Sequence, residues 1–179
     1  MGEMRDRATV EVALMAAETG HLVLSTLHTV DAGQSINRIL GLFSLGEEQQ
    51  LRLRLADSVR YIISQRLAPR IAGGRQLLTE IMGHNLRTRE TITLGETEGR
   101  SFYEIIEASA PFGWCTFDQS ILRAYEAGQI TEETAELFAS KKGRISRGID
   151  LIQKAQGIND RGTGLRLEVE ANAFSLGGQ

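Results

Sequence analysis

The sequence predicts an α/β chain with its strands confined to the first half and a helical second half. Three observations carry this expectation. Leu22-Val23-Leu24 is a continuous apolar run between Gly20 and the polar Ser25-Thr26 pair, the pattern of a strand buried on both faces. Val59 to Leu67 is rich in β-branched and aromatic residues, and Arg75 to Met82 resumes after Pro69 and Gly73-Gly74, so the two predict an antiparallel hairpin. From Leu86 onward, apolar residues recur at helical spacing behind capping boxes.

Taken in order, Val10, Leu14 and Ala17 fall on one helical face and Gly20 stops it, predicting a helix over Arg7–Glu18. The apolar strand follows over Leu22 to Leu27. Asp31 and Gln34 have capping-box spacing, and Ile36, Ile39, Leu40 and Phe43 repeat along one face, predicting a second helix from Ala32 to Phe43. A third runs from Gly46 to Asp57, ahead of the hairpin. Ser101 with Glu104 and Thr116 with Gln119 open two more helices. Thr131 caps another with an acidic first turn, and Ile145, Ile149 and Ile152 give the last. Glycines at 157, 162, 164, 177 and 178 predict a flexible tail over 156–179.

Composition narrows the function classes. The 179 residues (19.7 kDa) are 41% hydrophobic and 24% charged, the make-up of a soluble globular chain. A net charge of −3 gives no overall basic field, so no nucleic-acid partner is expected. The longest apolar stretch, Leu22 to Leu27, is far below the roughly 20 residues that span a bilayer, so direct membrane insertion is not expected. The opening Met-Gly-Glu-Met-Arg-Asp is too charged for a secretory leader, and Asp6 stands where myristoylation needs Ser or Thr. A single cysteine, Cys115, allows no intrachain disulfide and suits a reducing, cytoplasmic setting.

A strand buried on both faces normally sits in a sheet of about five or six strands, and this sequence supplies three, two of them committed to a hairpin. The expectation is that the chain belongs to a longer polypeptide that supplies the missing neighbours.

Two blocks carry the functional signal. One is Gly2-Glu3-Met4-Arg5-Asp6; the other is Glu18-Thr19-Gly20-His21-Leu22-Val23-Leu24-Ser25-Thr26-Leu27-His28-Thr29. They resemble the Walker B end and the histidine box of the secretion-motor ATPases of type IV pili and type II secretion, most closely the PilT-like retraction ATPases and their PilU-like relatives. The similarity continues through Ser64-Gln65-Arg66-Leu67, the glycine turn, Glu80-Ile81-Met82, Thr116-Phe117-Asp118-Gln119 and Ala127-Gly128-Gln129-Ile130, covering residues 1 to 155.

The resemblance implies the C-terminal half of a RecA-like P-loop ATPase core followed by an all-helical C-terminal subdomain. Residues 1–84 would be the partial core, 85–155 the helical subdomain and 156–179 the tail. It implies ATP and Mg²⁺ as cofactors, a homo-hexamer, a pilus inner-membrane platform protein as partner, and a cytoplasmic location peripheral to the inner membrane. Glu3 would be the Walker B carboxylate, holding the Mg²⁺ shell indirectly and polarising the attacking water. His28 and Arg38 would join it in catalysis, the arginine's fork of donors suiting γ-phosphoryl charge. His21, Arg5 and Thr26 would bind nucleotide, and Arg87, Arg89 and Glu90 would face a subunit interface.

Without the resemblance, blander readings stand beside these: Glu3 as a solvated acid next to Arg5, His21 and His28 as strand-end histidines, Arg38 as a surface arginine. Seven residues apart on an extended segment, the two histidines point to opposite faces and do not suit one shared metal. Cys115 reads as a buried small residue at a helix start, and Phe112, Trp114 and Phe117 as the packing of a helix junction.

The departures are specific. No Gly-x-x-x-x-Gly-Lys-[Ser/Thr] loop occurs, so the lysine and backbone cradle for the phosphates are missing and the chain alone is expected not to hydrolyse ATP. Retraction ATPases usually carry Ala-Ile-Arg-Asn-Leu-Ile-Arg-Glu; here only Asn85-Leu86-Arg87-Thr88-Arg89-Glu90 stands, which suits a PilU-like or divergent member. The alternative expectation is a non-enzymatic, truncated relative serving as an interaction module on the pilus or type II secretion machinery.

Overall fold

The computed structural model describes residues 2–157. Helix α1 spans Arg7–Glu18 as expected; the Asp6 carboxylate caps it by accepting from Thr9 N at 2.8 Å, and Val10, Ala13 and Leu14 are buried. Helix α2 spans Ala32–Leu40 and stops short of Phe43, because Leu42 N and Phe43 N turn back to the carbonyls of Ile39 and Leu40 in a tighter turn. Helix α3 spans Leu45–Ser58, opened by a Ser44/Glu47 capping box that the sequence reading missed.

Strands β1 (Tyr61–Pro69) and β2 (Arg75–Gly83) form the expected antiparallel hairpin, in register from Tyr61 opposite Gly83 to Pro69 opposite Arg75. β1 begins two residues later than expected, since Val59 N closes α3 onto Leu55 O. The helical half then runs α4 (Leu86–Leu94), α5 (Phe102–Ala108), a 3₁₀ turn at Ala110–Phe112, α6 (Phe117–Glu126), α7 (Glu132–Phe138) and α8 (Lys142–Ala155). The boxes Ser101/Glu104 and Thr116/Gln119 and the Thr131 cap all form.

The apolar interior has two centres. The first gathers α1, α2 and α3 with Met82, Ile92, Phe102, Ile105, Ile106 and Trp114, so it draws on both sides of residue 84. The second sits under the hairpin tip, where Ala68 and Leu78 meet Phe117, Ile121, Ile130, Ile145 and Ile149. Each of these fully buried large side chains contributes about 1.5–3 kcal/mol relative to exposure. Trp114 lies across Gly83, where a Cβ would fall 2.5 Å from the indole; only glycine admits that approach. Cys115 is buried and free, its backbone paired with Ile81. Phe112, by contrast, is exposed rather than packed into the junction.

The strand expected over Leu22 to Leu27 is corrected. The segment is extended, but it is not buried on both faces: Val23, Ser25 and Leu27 are half-buried, while Leu22 and Leu24 are 86% and 72% exposed. The reason lies in its neighbours. Among the described residues only the Gly2–Met4 stretch runs beside it, through one parallel bridge between Glu3 and Thr26, so no second layer covers the outer face. The buried Ser25 Oγ has no hydrogen-bond partner among the described residues. Of the tail expected over 156–179, residues 158–179 lie outside the described residues.

Candidate functional site

The site is built where the Gly2–Met4 stretch meets the extended segment. Met4 N donates to Thr26 O at 3.1 Å, and Thr26 Oγ1 donates to Gly2 O at 2.8 Å. These two bonds bracket Glu3 and fix its side chain beside His28, which shares a face with Thr26 because side chains alternate along extended chain. One Glu3 oxygen lies 3.1 Å from His28 Nε2 and the other is ion-paired with Arg5 at 2.6 Å. Glu3 is largely covered, whereas the His28 and Arg5 side chains are 86% and 74% exposed and remain open to a ligand.

Beyond His28 the backbone turns into α2. Ser35 Oγ donates to Asp31 O at 2.9 Å, so Thr29 Oγ1, 2.7 Å away, donates to Ser35. Asp31 caps α2 by accepting from Gln34 N at 2.7 Å. The amphipathic α2 buries Ile36 and Ile39 and turns Gln34, Asn37 and Arg38 outward. With His28, Thr29 and Val30 they line an open groove of about 340 Å³. Of the residues expected to act together, Glu3, Arg5, Thr26 and His28 thus form one cluster, and Arg38 shares the groove with His28.

Others stand apart. His21 pairs through Nδ1 with Thr19 Oγ1 at 3.1 Å, at the C-terminal end of α1. Arg87, Arg89 and Glu90 are exposed on α4, where Arg89 is held by Asp57 at 2.8 Å within the chain. The chemistry of the cluster suits an anion more than a cation: Arg38, Gln34 and Asn37 all offer N–H donors to the groove. Each Glu3 oxygen already faces a basic side chain, and among the described residues no group of three or more His, Cys, Asp or Glu could hold a metal ion. A carboxylate so placed fits a role in the outer shell of a metal, not as part of a protein cage.

Three polar residues quoted as motif matches, but given no role, turn out to be anchored in the interior. Glu80 is buried on β2 and accepts from Ala32 N, the first amide of α2, at 2.9 Å. Burial pushes its carboxyl above the ordinary range, opposed by the Ala32 amide and reinforced by the charge of Asp31. Asp118 is buried and accepts from Tyr103 Oη, Ser140 N and Lys141 N at 2.7–2.9 Å. Arg66 lies 3.8 Å over the Phe117 ring. Their partners lie 15 to 74 residues away in sequence, so no local pattern announces them.

Comparison with known proteins places this geometry in context. The family model described as Type II/IV secretion system protein matches residues 1–147. The chain is 38% identical over 135 residues to the type IV pilus retraction ATPase PilT of Pseudomonas aeruginosa, covering 75% of this chain and 39% of that protein. It is 31% identical over 172 residues to the type IV pilus ATPase PilU of the same organism, covering 94% and 44%. A crystal structure of the pilus retraction motor PilT with bound ADP superposes with a TM-score of 0.67 at 39% identity, covering 82% of this chain and 40% of that one. The α/β fold is therefore that of this ATPase class, and the chain spans about two fifths of the length of the relatives it matches.

Proposed function

The chain belongs to the type II/IV secretion system protein family, and on that premise we propose that it forms the C-terminal part of a pilus-motor ATPase subunit that powers type IV pilus retraction by hydrolysing ATP. One observation supports this above the rest: Glu3 is paired with Arg5 and with His28, and His28 shares a groove with Arg38.

In this reading the groove receives the nucleotide's phosphates. Arg38 donates to phosphoryl oxygens, as does His28 through Nδ1 when its ring carries both protons, Arg5 adds charge from the side, and Thr26 holds the Glu3 backbone in place. Mg²⁺, when bound, neutralises phosphate charge, with Glu3 in its outer shell. Glu3 is then one bond from His28, so a change in phosphate contact at the histidine is felt at the carboxylate. His21, paired with Thr19 where the extended segment begins, is left the lesser role of a contact at the site's edge.

The sequence holds no P-loop, so the phosphate cradle comes from elsewhere in the subunit, and the 179 residues alone do not turn over ATP. The working form is a homo-hexamer, cytoplasmic and pressed against an inner-membrane platform protein, with Arg87, Glu90 and the outer face of α4 at the subunit boundary. No described helix is long and apolar enough to cross a membrane. The test is Arg38→Ala and His28→Ala in the subunit that carries the P-loop. Each should reduce ATP turnover by about 10²-fold or more; unchanged turnover in both would remove the groove from the mechanism.

A further inference from the structure

Arg66 and Glu80 stand on the same face of the hairpin, since Arg66 is opposite Leu78 and Ser64 is opposite Glu80. That face turns to the interior, where apolar side chains would cost less than a carboxylate and a guanidinium. Both side chains reach the same short linker, Val30-Asp31-Ala32, between the His28 segment and α2. Arg66 Nη2 donates to Val30 O at 3.3 Å, and Glu80 accepts from Ala32 N at 2.9 Å. The linker is thus gripped at both ends from the hairpin.

The same guanidinium also reaches the corner between α7 and α8. Its Nη1 donates to Phe138 O at 2.9 Å and Ser140 Oγ at 3.3 Å, while its plane rests on Phe117. Asp118 holds that corner from the other side through the amides of Ser140 and Lys141. Neither Arg66 nor Glu80 lines the groove of His28 and Arg38.

We propose that Arg66 and Glu80 are positioning residues: they clamp the Val30–Ala32 linker so that His28 before it and Arg38 after it keep a fixed separation, and Arg66 carries any displacement of the linker to the α7–α8 corner. The clamp deepens the nucleotide-site reading and rests on it for what the groove holds; the grip on the linker is independent of any ligand. A rigid strand pair joined to one short linker and one helix corner is the kind of connection through which a local shift moves a neighbouring element.

The test is amide hydrogen exchange on the 179-residue chain without nucleotide, read over residues 28–34, 136–142 and α3, together with the NMR signal of the His28 ring. Arg66→Gln should raise exchange about tenfold or more over both 28–34 and 136–142, leaving α3 unchanged. Glu80→Ala should do so over 28–34 only, and Glu80→Gln, which keeps an oxygen for the Ala32 amide, should restore wild-type protection. The His28 signal should shift in Arg66→Gln and Glu80→Ala and return in Glu80→Gln. If Arg66→Gln does not fold, Arg66→Lys is read by the same criteria, since it keeps the charge but loses the fork. Unchanged exchange over 28–34, an equal rise in α3, or no restoration by Glu80→Gln would overturn the clamp. A failure of nucleotide binding in the subunit that carries the P-loop would instead remove the reading of the groove and leave this result standing.

Discussion

His28 Nε2 lies 3.1 Å from Glu3 Oε1, a contact that joins the first residues to the end of the extended segment 25 residues later. The contact exists because Thr26, two residues before His28, ties down both the Gly2 carbonyl and the Met4 amide. A carboxylate and an imidazole held in this way, with the imidazole still open to the groove, form the centre of the proposed site.

Asp118 should be the most sensitive polar residue in the helical half. Its carboxylate satisfies the amides of Ser140 and Lys141 and the Tyr103 hydroxyl at once. Asp118→Ala strands all three and should cost about 2–5 kcal/mol of unfolding free energy, measured by denaturant titration. A loss below about 0.5 kcal/mol, the scale of an ordinary surface substitution, would contradict the role. Tyr103, whose hydroxyl is held above its ordinary pKa by burial and then by the bond to Asp118, should become easier to ionise in the variant.

Gly83→Ala places a methyl 2.5 Å from the Trp114 indole at the join of β2 and the first core. The ring is buried in that core, so overpacking should cost about 1–3 kcal/mol and shift the fluorescence of the sole tryptophan. Gly148→Ala also makes a 2.5 Å contact, but with the end of the Leu122 side chain, which can rotate away, and should cost less. An equal or reversed order of the two losses would contradict this packing account.

Glu80 gives stability a pH dependence of definite sign. Its native carboxyl holds a proton to higher pH than the ordinary value of 4.5, so between the two values the native state binds more protons than the unfolded chain. Unfolding free energy therefore falls as pH rises through that window. Denaturant midpoints compared from about pH 4 to about pH 7 should show wild type losing stability relative to Glu80→Gln. Parallel curves would contradict it.

The isolated 179-residue chain should show no measurable affinity for ATP by calorimetry, since no lysine-bearing phosphate loop is present. Micromolar binding would mean that the phosphate-holding groups are already within these residues.

Local signals made much of the fold legible. The α1 boundaries and the boxes at Ser101 and Thr116 are contacts within three or four residues, and the hairpin closes through a turn whose Gly73-Gly74 pair is itself local, so a short sequence window contains each signal. The Leu22–Leu27 segment failed in burial because an apolar run states what a strand tolerates and not what lies beside it. In the site, Glu3 and His28 were singled out by the family resemblance, which says nothing of their contact with each other. Glu80 and Arg66 sat in quoted motifs without a role because Ala32, Val30 and Phe138 are distant in the chain and adjacent only once the hairpin folds under α2.

The central claim, that Glu3 serves ATP hydrolysis through its place beside His28, is tested most directly by Glu3→Gln in the subunit that carries the P-loop. The account predicts that steady-state turnover falls by about 10²-fold or more while nucleotide affinity stays within about threefold, because the amide keeps the shape and loses the charge. Undiminished turnover with Gln at position 3 would contradict it.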